Sequence, residues 1–368
     1  MLAYIPVFLV TVLAAYVATP VVRRLAVRIG AIDKPSDRKV HPKPTPTLGG
    51  LAMWLACLGG LAVAYLMPAF DDMFRLSSEP LGVILAGTVI VGLGSYDDLR
   101  GIAVPAKIAG QVLAGGLLIL TGVQLFYFWL PGLGILSLGP DLAVPLTIIW
   151  VVAMINAVNL IDGLDGLAAG VVAIAAVAFF AYAITSQGTI FEQGPTPAGL
   201  FCVVVAGAAL GFLPHNFNPA KIFMGDSGSM LLGLILAAAT ISGVGRTESP
   251  TNAELAALAI PIAIPLLVLA VPFTDVVWAI VRRMRRKKPV YRPDKEHIHH
   301  RLLDIGHSHR QAVLLMYLWS ALIASGALAI TFIRSRVMVL SVIAVITLVL
   351  VGTAVPRMRR PNGRVRAS

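Results

Sequence analysis

The chain has 368 residues, 58% of them hydrophobic and only 13% charged, with a formal net charge of +11 and a mean hydropathy of +0.86. Soluble domains carry roughly 25% charged residues, so a soluble protein of this length is excluded. The apolar residues run in continuous stretches of about 20, long enough to cross a ~30 Å hydrocarbon core. They do not alternate with period two, which excludes a membrane β-barrel. In chain order the predicted membrane helices are Ala3–Val22, Leu48–Met67, Leu81–Tyr96, Pro105–Val123, Leu142–Leu160 and Leu164–Thr185. Ala198–Pro214, Ser227–Val244, Leu255–Val281, Ala312–Ile333 and Val337–Val355 complete an all-α polytopic membrane protein of about eleven spans. The short apolar piece Leu125–Leu138, broken by Pro131, Gly132 and Gly134, reads as an interfacial or re-entrant segment on the outer side. The first span lacks a basic leading region and a small-residue cleavage site, so it reads as a retained helix and not a signal peptide.

Lys and Arg set the orientation. The loops after spans 1, 3, 5, 7 and 9, together with the C-terminal tail, hold 25 of the 29 basic residues. The other side holds only Arg75, Arg246, Arg334 and Arg336. The positive-inside rule then puts the first set in the cytoplasm, with the N-terminus outside and the C-terminus inside. The charge of +11 follows from this bias and is no sign of nucleic-acid binding; a basic cytoplasmic face meets anionic head groups and phosphorylated substrates. Cys57 and Cys202 lie inside apolar spans without metal-ligand spacing and read as inert core thiols. No internal repeat or separate soluble domain is visible, so residues 1–368 read as one integral-membrane domain.

The polar residues gather in the cytoplasmic loops, at 23–47, 96–107, 156–167, 214–229 and 282–310. Within 156–167, Asn156, Asn159, Asp162 and Asp165 recur every third residue, which on a helix makes one polar stripe. Gly163 and Gly166 weaken that helix and allow a backbone or ligand to approach. The first loop, Asp37-Arg38-Lys39-Val40-His41-Pro42-Lys43-Pro44-Thr45-Pro46-Thr47-Leu48-Gly49-Gly50, is either a basic anchor or a face for phosphate or lipid; its prolines impose an extended path. In the second, Asp97 and Asp98 are adjacent, with Lys107 nearby. Neighbouring carboxylates repel unless a cation or proton intervenes, so this is a solvated helix end or a site for a hard divalent metal or proton transfer.

The fourth loop carries Asn216, Lys221, Phe223 and Asp226, and Asp226 stands where it would N-cap the eighth span. The fifth holds the basic run Arg282–Lys288, a stop-transfer anchor, and then His297, His299, His300 and Arg301. Three His and an Arg so close would bind a transition metal or phosphate; the absence of nearby Cys and the abundance of acids favour phosphate, with Mg²⁺ over Zn²⁺ elsewhere. Asp275, inside the ninth span, is a buried structural acid or part of the site. A transporter or proton pump would place ionisable groups near the bilayer midplane. Here the span centres are nearly free of charge and the chemistry is one-sided.

Asp97-Asp98, Asn159-Leu-Ile-Asp-Gly-Leu-Asp-Gly-Leu167, Phe223-Met-Gly-Asp-Ser-Gly-Ser229 and His297-Ile-His-His300 together resemble the polyprenyl-phosphate N-acetylhexosamine-1-phosphate transferase family over nearly the whole chain. Arg38-Lys39-Val40-His41 with Pro-Thr-Pro-Thr-Leu-Gly-Gly, and the interrupted His-Ile-His-His, look like the branch that uses UDP-N-acetylglucosamine. The phospho-N-acetylmuramoyl-pentapeptide branch shows three consecutive His, which Ile298 interrupts here.

The resemblance implies transfer of N-acetylglucosamine-1-phosphate from the UDP-sugar to undecaprenyl or decaprenyl phosphate. UMP is released, in a first membrane step of cell-envelope polysaccharide synthesis at the bacterial plasma membrane. It implies Mg²⁺, with Mn²⁺ as substitute, and a homodimer. Asp226 would be the principal metal ligand, with Asp98 beside it, and Asp97 would activate the acceptor phosphate. Whether Asp98 instead acts as a covalent nucleophile stays open. His297 joins the catalytic set; Asn159, Asp162 and Asp165 would hold the nucleoside, with Phe223 stacking on uracil. Lys107 and Asn216 would contact the donor, and His299, His300 and Arg301 the sugar or phosphate. The competing class is a membrane carrier of lipid-linked or nucleotide sugars.

Overall fold

The computed structural model describes residues 1–35, 43–130, 134–185, 194–244, 308–332 and 336–354. Over these residues the protein is a bundle of apolar helices with two short hairpins, an all-α polytopic membrane architecture. α1 (Tyr4–Ile29) runs past its predicted end at Val22 and carries Arg23, Arg24 and Arg28 into its last turns. It stops where Gly30 turns left-handed (φ 75°) and donates its N–H to the last carbonyls, a glycine C-cap beside basic residues that suit the helix dipole. β1 (Ile32–Asp33) and β2 (Thr45–Pro46) pair antiparallel; Asp37 to Pro42 of the first-loop motif lie outside the described residues. α2 (Gly49–Tyr65) is followed by a 90° bend into Pro68–Leu76, where α3 (Asp71–Leu76) lies. α4 (Glu79–Arg100) and α5 (Val104–Leu120) come next.

The predicted interfacial piece Leu125–Leu138 is a β-hairpin, β3 (Tyr127–Leu130) against β4 (Gly134–Ser137). Its aromatic and branched residues flank a Pro-Gly pair, the composition of paired strands around a turn. α6 (Pro140–Ile161), α7 (Leu167–Thr185), α8 (Pro197–Asn216), α9 (Gly225–Val244), α10 (His309–Phe332) and α11 (Arg336–Ala354) follow. Every predicted span except the ninth coincides with one of these helices; Leu255–Val281, with Asp275, lies outside the described residues. Among the described residues seven helices are long and apolar enough to cross a membrane, or eight if α2 and the bent segment after it form one span. α5 and the Leu340–Val349 part of α11 are shorter apolar helices.

α9 is the centre of the bundle. Buried residues make up 89% of its apolar window, against 28% for α1, whose Leu9, Leu13 and Val17 are left to face lipid. α9 packs on α2, α4, α6 and α8. Small residues permit this, because lipid tails offer no hydrophobic drive to association and close backbone packing must supply it. A Cβ on Gly233 of α9 would stand 2.7 Å from Ile155 Cα of α6, and one on Gly211 of α8 would stand 2.2 Å from the Val12 carbonyl of α1.

The predicted polar stripe does not stay on one helix. α6 ends at Ile161, and Asp162 and Asp165 lie in the turn before α7. Gly166 takes φ +82° there, a conformation an L side chain resists, and Asn156 and Asn159 alone remain helical.

Candidate active site

The connections α1–α2, α4–α5, α6–α7 and α8–α9 and the start of α10 meet at one end of the bundle, joined by hydrogen bonds. The Phe223 N–H donates to the Pro46 carbonyl at 2.8 Å, and the Gly49 and Gly50 N–H groups donate to the Phe223 and Met224 carbonyls at 3.0 Å each. This backbone pairing explains the Leu48-Gly49-Gly50 sequence: Leu48 is held at φ 77°, and a Cβ on Gly50 would fall 2.2 Å from the Gly228 nitrogen. The loop before α9 is thus clamped to the start of α2, with the Phe223 ring half-buried at its edge.

Asp226 leaves the first turn of α9 and is the hub. Its Oδ2 pairs with the Lys107 ammonium of α5, and its Oδ1 accepts from Asn159 Nδ2 of α6 at 2.6 Å. Asn159 Nδ2 also donates to Ser229 Oγ at 2.8 Å. Lys107 further pairs with Asp97 Oδ2 at 2.9 Å, the two side chains being 16% and 12% exposed. Asp97 Oδ1 accepts from the Ile102 N–H at 2.6 Å, which closes the α4–α5 turn.

Asp226 does not cap its own helix. The cap comes from Asp98, at the end of α4: Oδ1 accepts from the Asp226 N–H at 2.8 Å, and Oδ2 from the Ser227 N–H at 3.3 Å and the Ser227 hydroxyl at 2.9 Å. A carboxylate here satisfies amides that the helix itself leaves unpaired and meets the positive end of its dipole. Room for it comes from Gly225, at φ +69°, where a Cβ would lie 2.3 Å from Asp98 Oδ2. An Asn here would keep one accepting oxygen but turn an NH2 toward the other donors, whereas Ala removes both acceptors; loss of a cap costs about 0.5–2 kcal/mol. Asp98→Asn is therefore expected to melt below the natural protein in detergent but above Asp98→Ala, and to keep more turnover than Asp98→Ala. Equal loss of turnover in two equally stable variants would place Asp98 on the metal or the phosphate directly.

Asp162 stands half-buried in the α6–α7 turn. Burial first, then the charges of Asp226, Asp98 and Asp165, push its carboxyl well above the ordinary carboxylate range. Asp165 is tied to the α8–α9 loop: its Oδ2 accepts from Asn218 Nδ2 at 2.9 Å and the Ala220 N–H at 3.0 Å. Asn216, expected to contact the donor, is 1% exposed and has both amide atoms engaged, Oδ1 with the Gly166 N–H and Nδ2 with the Ile222 carbonyl, at 3.0 Å each. It braces the site from behind. His297, His299, His300 and Arg301 lie outside the described residues.

Three contributors had not been singled out in the sequence. His309 Nε2 accepts from the Asp165 N–H at 3.0 Å, and Arg310 Nε donates to the Asn218 carbonyl at 2.8 Å, which fixes the start of α10 against the site. Gln111 is buried one turn beyond Lys107. Only Gln111 carried a legible signal, as the one polar side chain between Lys107 and Thr121.

Asp97, Asp98 and Asp226 gather three carboxylates around the one Lys107 ammonium, an excess of acidic groups that would repel a phosphate substrate. A hard cation removes that conflict, and these oxygen donors are the ligands Mg²⁺ takes. Among the described residues no three His, Cys, Asp or Glu side chains converge as a complete metal cage. The oxygen donors of Asp226 and its neighbours fit Mg²⁺ as an ion that one or two carboxylates would hold together with substrate phosphates.

Comparison with known proteins shows the family. The profile of glycosyl transferase family 4 matches residues 80–244, which span α4 to α9. The chain is 41% identical over 360 residues to the decaprenyl-phosphate N-acetylglucosaminephosphotransferase of Mycobacterium tuberculosis, covering 96% of this chain and 88% of that one. To the protein of the same name from Mycolicibacterium smegmatis it is 42% identical over 366 residues, 96% of this chain and 89% of that one. It is also 30% identical over 340 residues to the undecaprenyl-phosphate alpha-N-acetylglucosaminyl 1-phosphate transferase of Escherichia coli, covering 88% and 82%. With likeness running over nearly its full length, this chain belongs to glycosyl transferase family 4, among the polyprenyl-phosphate N-acetylglucosamine-1-phosphate transferases.

Proposed function

We propose that the protein transfers N-acetylglucosamine-1-phosphate from UDP-N-acetylglucosamine to decaprenyl or undecaprenyl phosphate, releasing UMP at the cytoplasmic face of the plasma membrane. The observation that carries this is the Asp97–Lys107–Asp226–Asn159 network at one end of a membrane bundle. It unites a cation-seeking carboxylate, a phosphate-seeking ammonium and a second carboxylate free of the helix caps. The names of the relatives supply the substrate classes, and the Lys and Arg bias supplies the side of the membrane.

An oxygen of the acceptor phosphate attacks the donor phosphorus that bears the sugar, and the bond from that phosphorus to the bridging oxygen breaks, so UMP leaves with the electron pair. Two anions must meet, so positioning and charge neutralisation carry the catalysis. Lys107, held between Asp97 and Asp226, swings its ammonium onto a phosphate oxygen as substrate enters. Asp97 accepts any proton left on the acceptor, a phosphate monoester whose second pKa is about 6. The α6–α7 turn, with Asp162 and the remaining oxygen of Asp165, orients the nucleoside against the Phe223 ring, and His297, His299, His300 and Arg301 bind the sugar and phosphate side. Mg²⁺, held by Asp226, would supply charge neutralisation for the diphosphate and the leaving UMP. A homodimer belongs to the same proposal.

Purified protein in detergent, given UDP-N-acetylglucosamine, polyprenyl phosphate and Mg²⁺, is expected to release UMP and form the lipid-linked sugar, with loss of turnover in EDTA and recovery on adding Mg²⁺. UDP-N-acetylgalactosamine and the UDP-muramoyl-pentapeptide are expected to compete poorly. No UMP release, with substrate crossing vesicle membranes instead, would make the protein a carrier.

A further inference from the structure

Beneath the polar end lies a second tier of polar contacts on the same three helices. Lys107 of α5, Asn159 of α6 and Asp226 of α9 form the outer tier. One turn deeper in each helix stand Gln111, Asn156 and Met230. Gln111 Oε1 accepts from Asn156 Nδ2 at 2.7 Å, and Gln111 Nε2 donates to Met230 Sδ at 3.5 Å. Asn156 Nδ2 also donates to the Val152 carbonyl at 2.7 Å, within its own helix. α5 and α9 begin at the polar end and α6 finishes there, so steps of +4, +4 and −3 residues all lead about 4.5–6 Å into the bundle.

Gln111 is fully buried. A buried amide in an apolar setting costs free energy that its hydrogen bonds offset only in part, and the thioether is a weak acceptor. Replacing both partners of such a bond by apolar groups of similar shape is close to neutral or stabilising. Stability alone therefore does not account for an amide pair at this depth. What the pair adds is direction. Farther along the same helix pair the packing is loose: even a Cβ added to Gly115 of α5 would lie 3.7–3.8 Å from Ile148 and Val151 of α6, ordinary van der Waals distances that tolerate sliding. A 2.7 Å hydrogen bond between side chains does not.

We infer that the Gln111–Asn156 hydrogen bond is a positioning clasp: it sets the register of α5 against α6 and so holds Lys107 and Asn159 on opposite sides of Asp226. The inference rests on the transferase function proposed above. Misplacement of reacting groups by about 1 Å costs about 10²-fold in rate, so the clasp acts on turnover and not on substrate affinity.

The test is the paired variant Gln111→Leu with Asn156→Leu. Its thermal midpoint in detergent is expected to equal or exceed that of the natural protein, with kcat lowered about 10- to 100-fold and donor KM within about threefold. The exchange variant, Gln111→Asn with Asn156→Gln, is expected to recover turnover lost by Gln111→Asn alone. Natural kcat in a stable Leu pair would overturn the clasp, as would a rise in KM with kcat unchanged. Should the Leu pair melt early, failure of the exchange to restore turnover would overturn it. Spin labels on Ile108→Cys and Leu160→Cys, both exposed positions, report the α5–α6 distance without any turnover; the buried Cys57 and Cys202 stay unlabelled. A broader distance distribution in the Leu pair is expected, and an unchanged one would overturn the clasp. Absent UMP release by the natural protein would sink the transferase proposal while leaving this distance measurement to judge the clasp.

Discussion

Asp226→Asn is expected to abolish turnover, by at least about 10³-fold, with no loss of fold. Removal of one preorganised electrostatic contact to a reacting group already costs about 10²–10³, and here the change also removes the anionic partner that would hold the cation. The fold is spared because the new amide keeps the shape of the old group and an oxygen that accepts from Asn159, while Lys107 keeps its pair with Asp97. Asp226 is one-third exposed, so the side chain itself packs little core. Turnover of the variant and its thermal midpoint are measured together. Near-natural turnover would remove Asp226 from the metal; a collapsed midpoint would make its role structural.

The second large effect is expected from Gly50→Ala. Propensity alone favours the change, since Gly in a helix is worse than Ala by roughly 0.5–1 kcal/mol. Packing opposes it and wins. The added Cβ would lie 2.2 Å from the Gly228 nitrogen and 2.3 Å from the Ser227 carbonyl carbon, both backbone atoms with no rotamer to yield. Relief requires α2 to withdraw from α9, which breaks the Gly50 N–H bond to the Met224 carbonyl and shifts the turn that carries Asp226. Overpacking of this kind costs about 1–3 kcal/mol or more. Gly92→Ala in α4, where a Cβ meets nothing within 4 Å, is the control and is expected to melt at or slightly above the natural midpoint. A Gly50→Ala protein with natural midpoint and turnover would show that the α2–α9 backbone contact is not required.

Much of the fold and some of the site were legible in order along the chain. The membrane helices were, because hydrophobicity over about 20 residues is a local property that the bilayer reads directly. Their ends were less so: α1 runs on to Ile29 because Arg side chains are tolerated in its last turns and the stop depends on Gly30 adopting a left-handed conformation. The spacing of Asn156, Asn159, Asp162 and Asp165 suggested one helical face, but spacing is silent on where a helix ends, and the glycine turn after Ile161 divides the four. Asp226 was recognisable from its motif as a site residue. Its predicted capping role belongs instead to Asp98, which is 128 residues distant in sequence.

The sequence by itself determined the class of protein, the helical content, the asymmetry of charge and the set of acids, amides and Lys107 from which a phosphoryl-transfer site is made. These follow from residue type and local spacing. Only the tertiary structure decided which atoms those residues spend on one another. Asp98 gives both oxygens to the start of α9, Asn216 is sealed behind the α6–α7 turn, and Gln111 meets Asn156 across a 45-residue separation. The physical reason is that a hydrogen bond is settled by the packing of whole helices. That packing depends on where Gly50, Gly94 and Gly233 let backbones touch and where Gly225 leaves room for Asp98, and not on any pattern near the residues that bond.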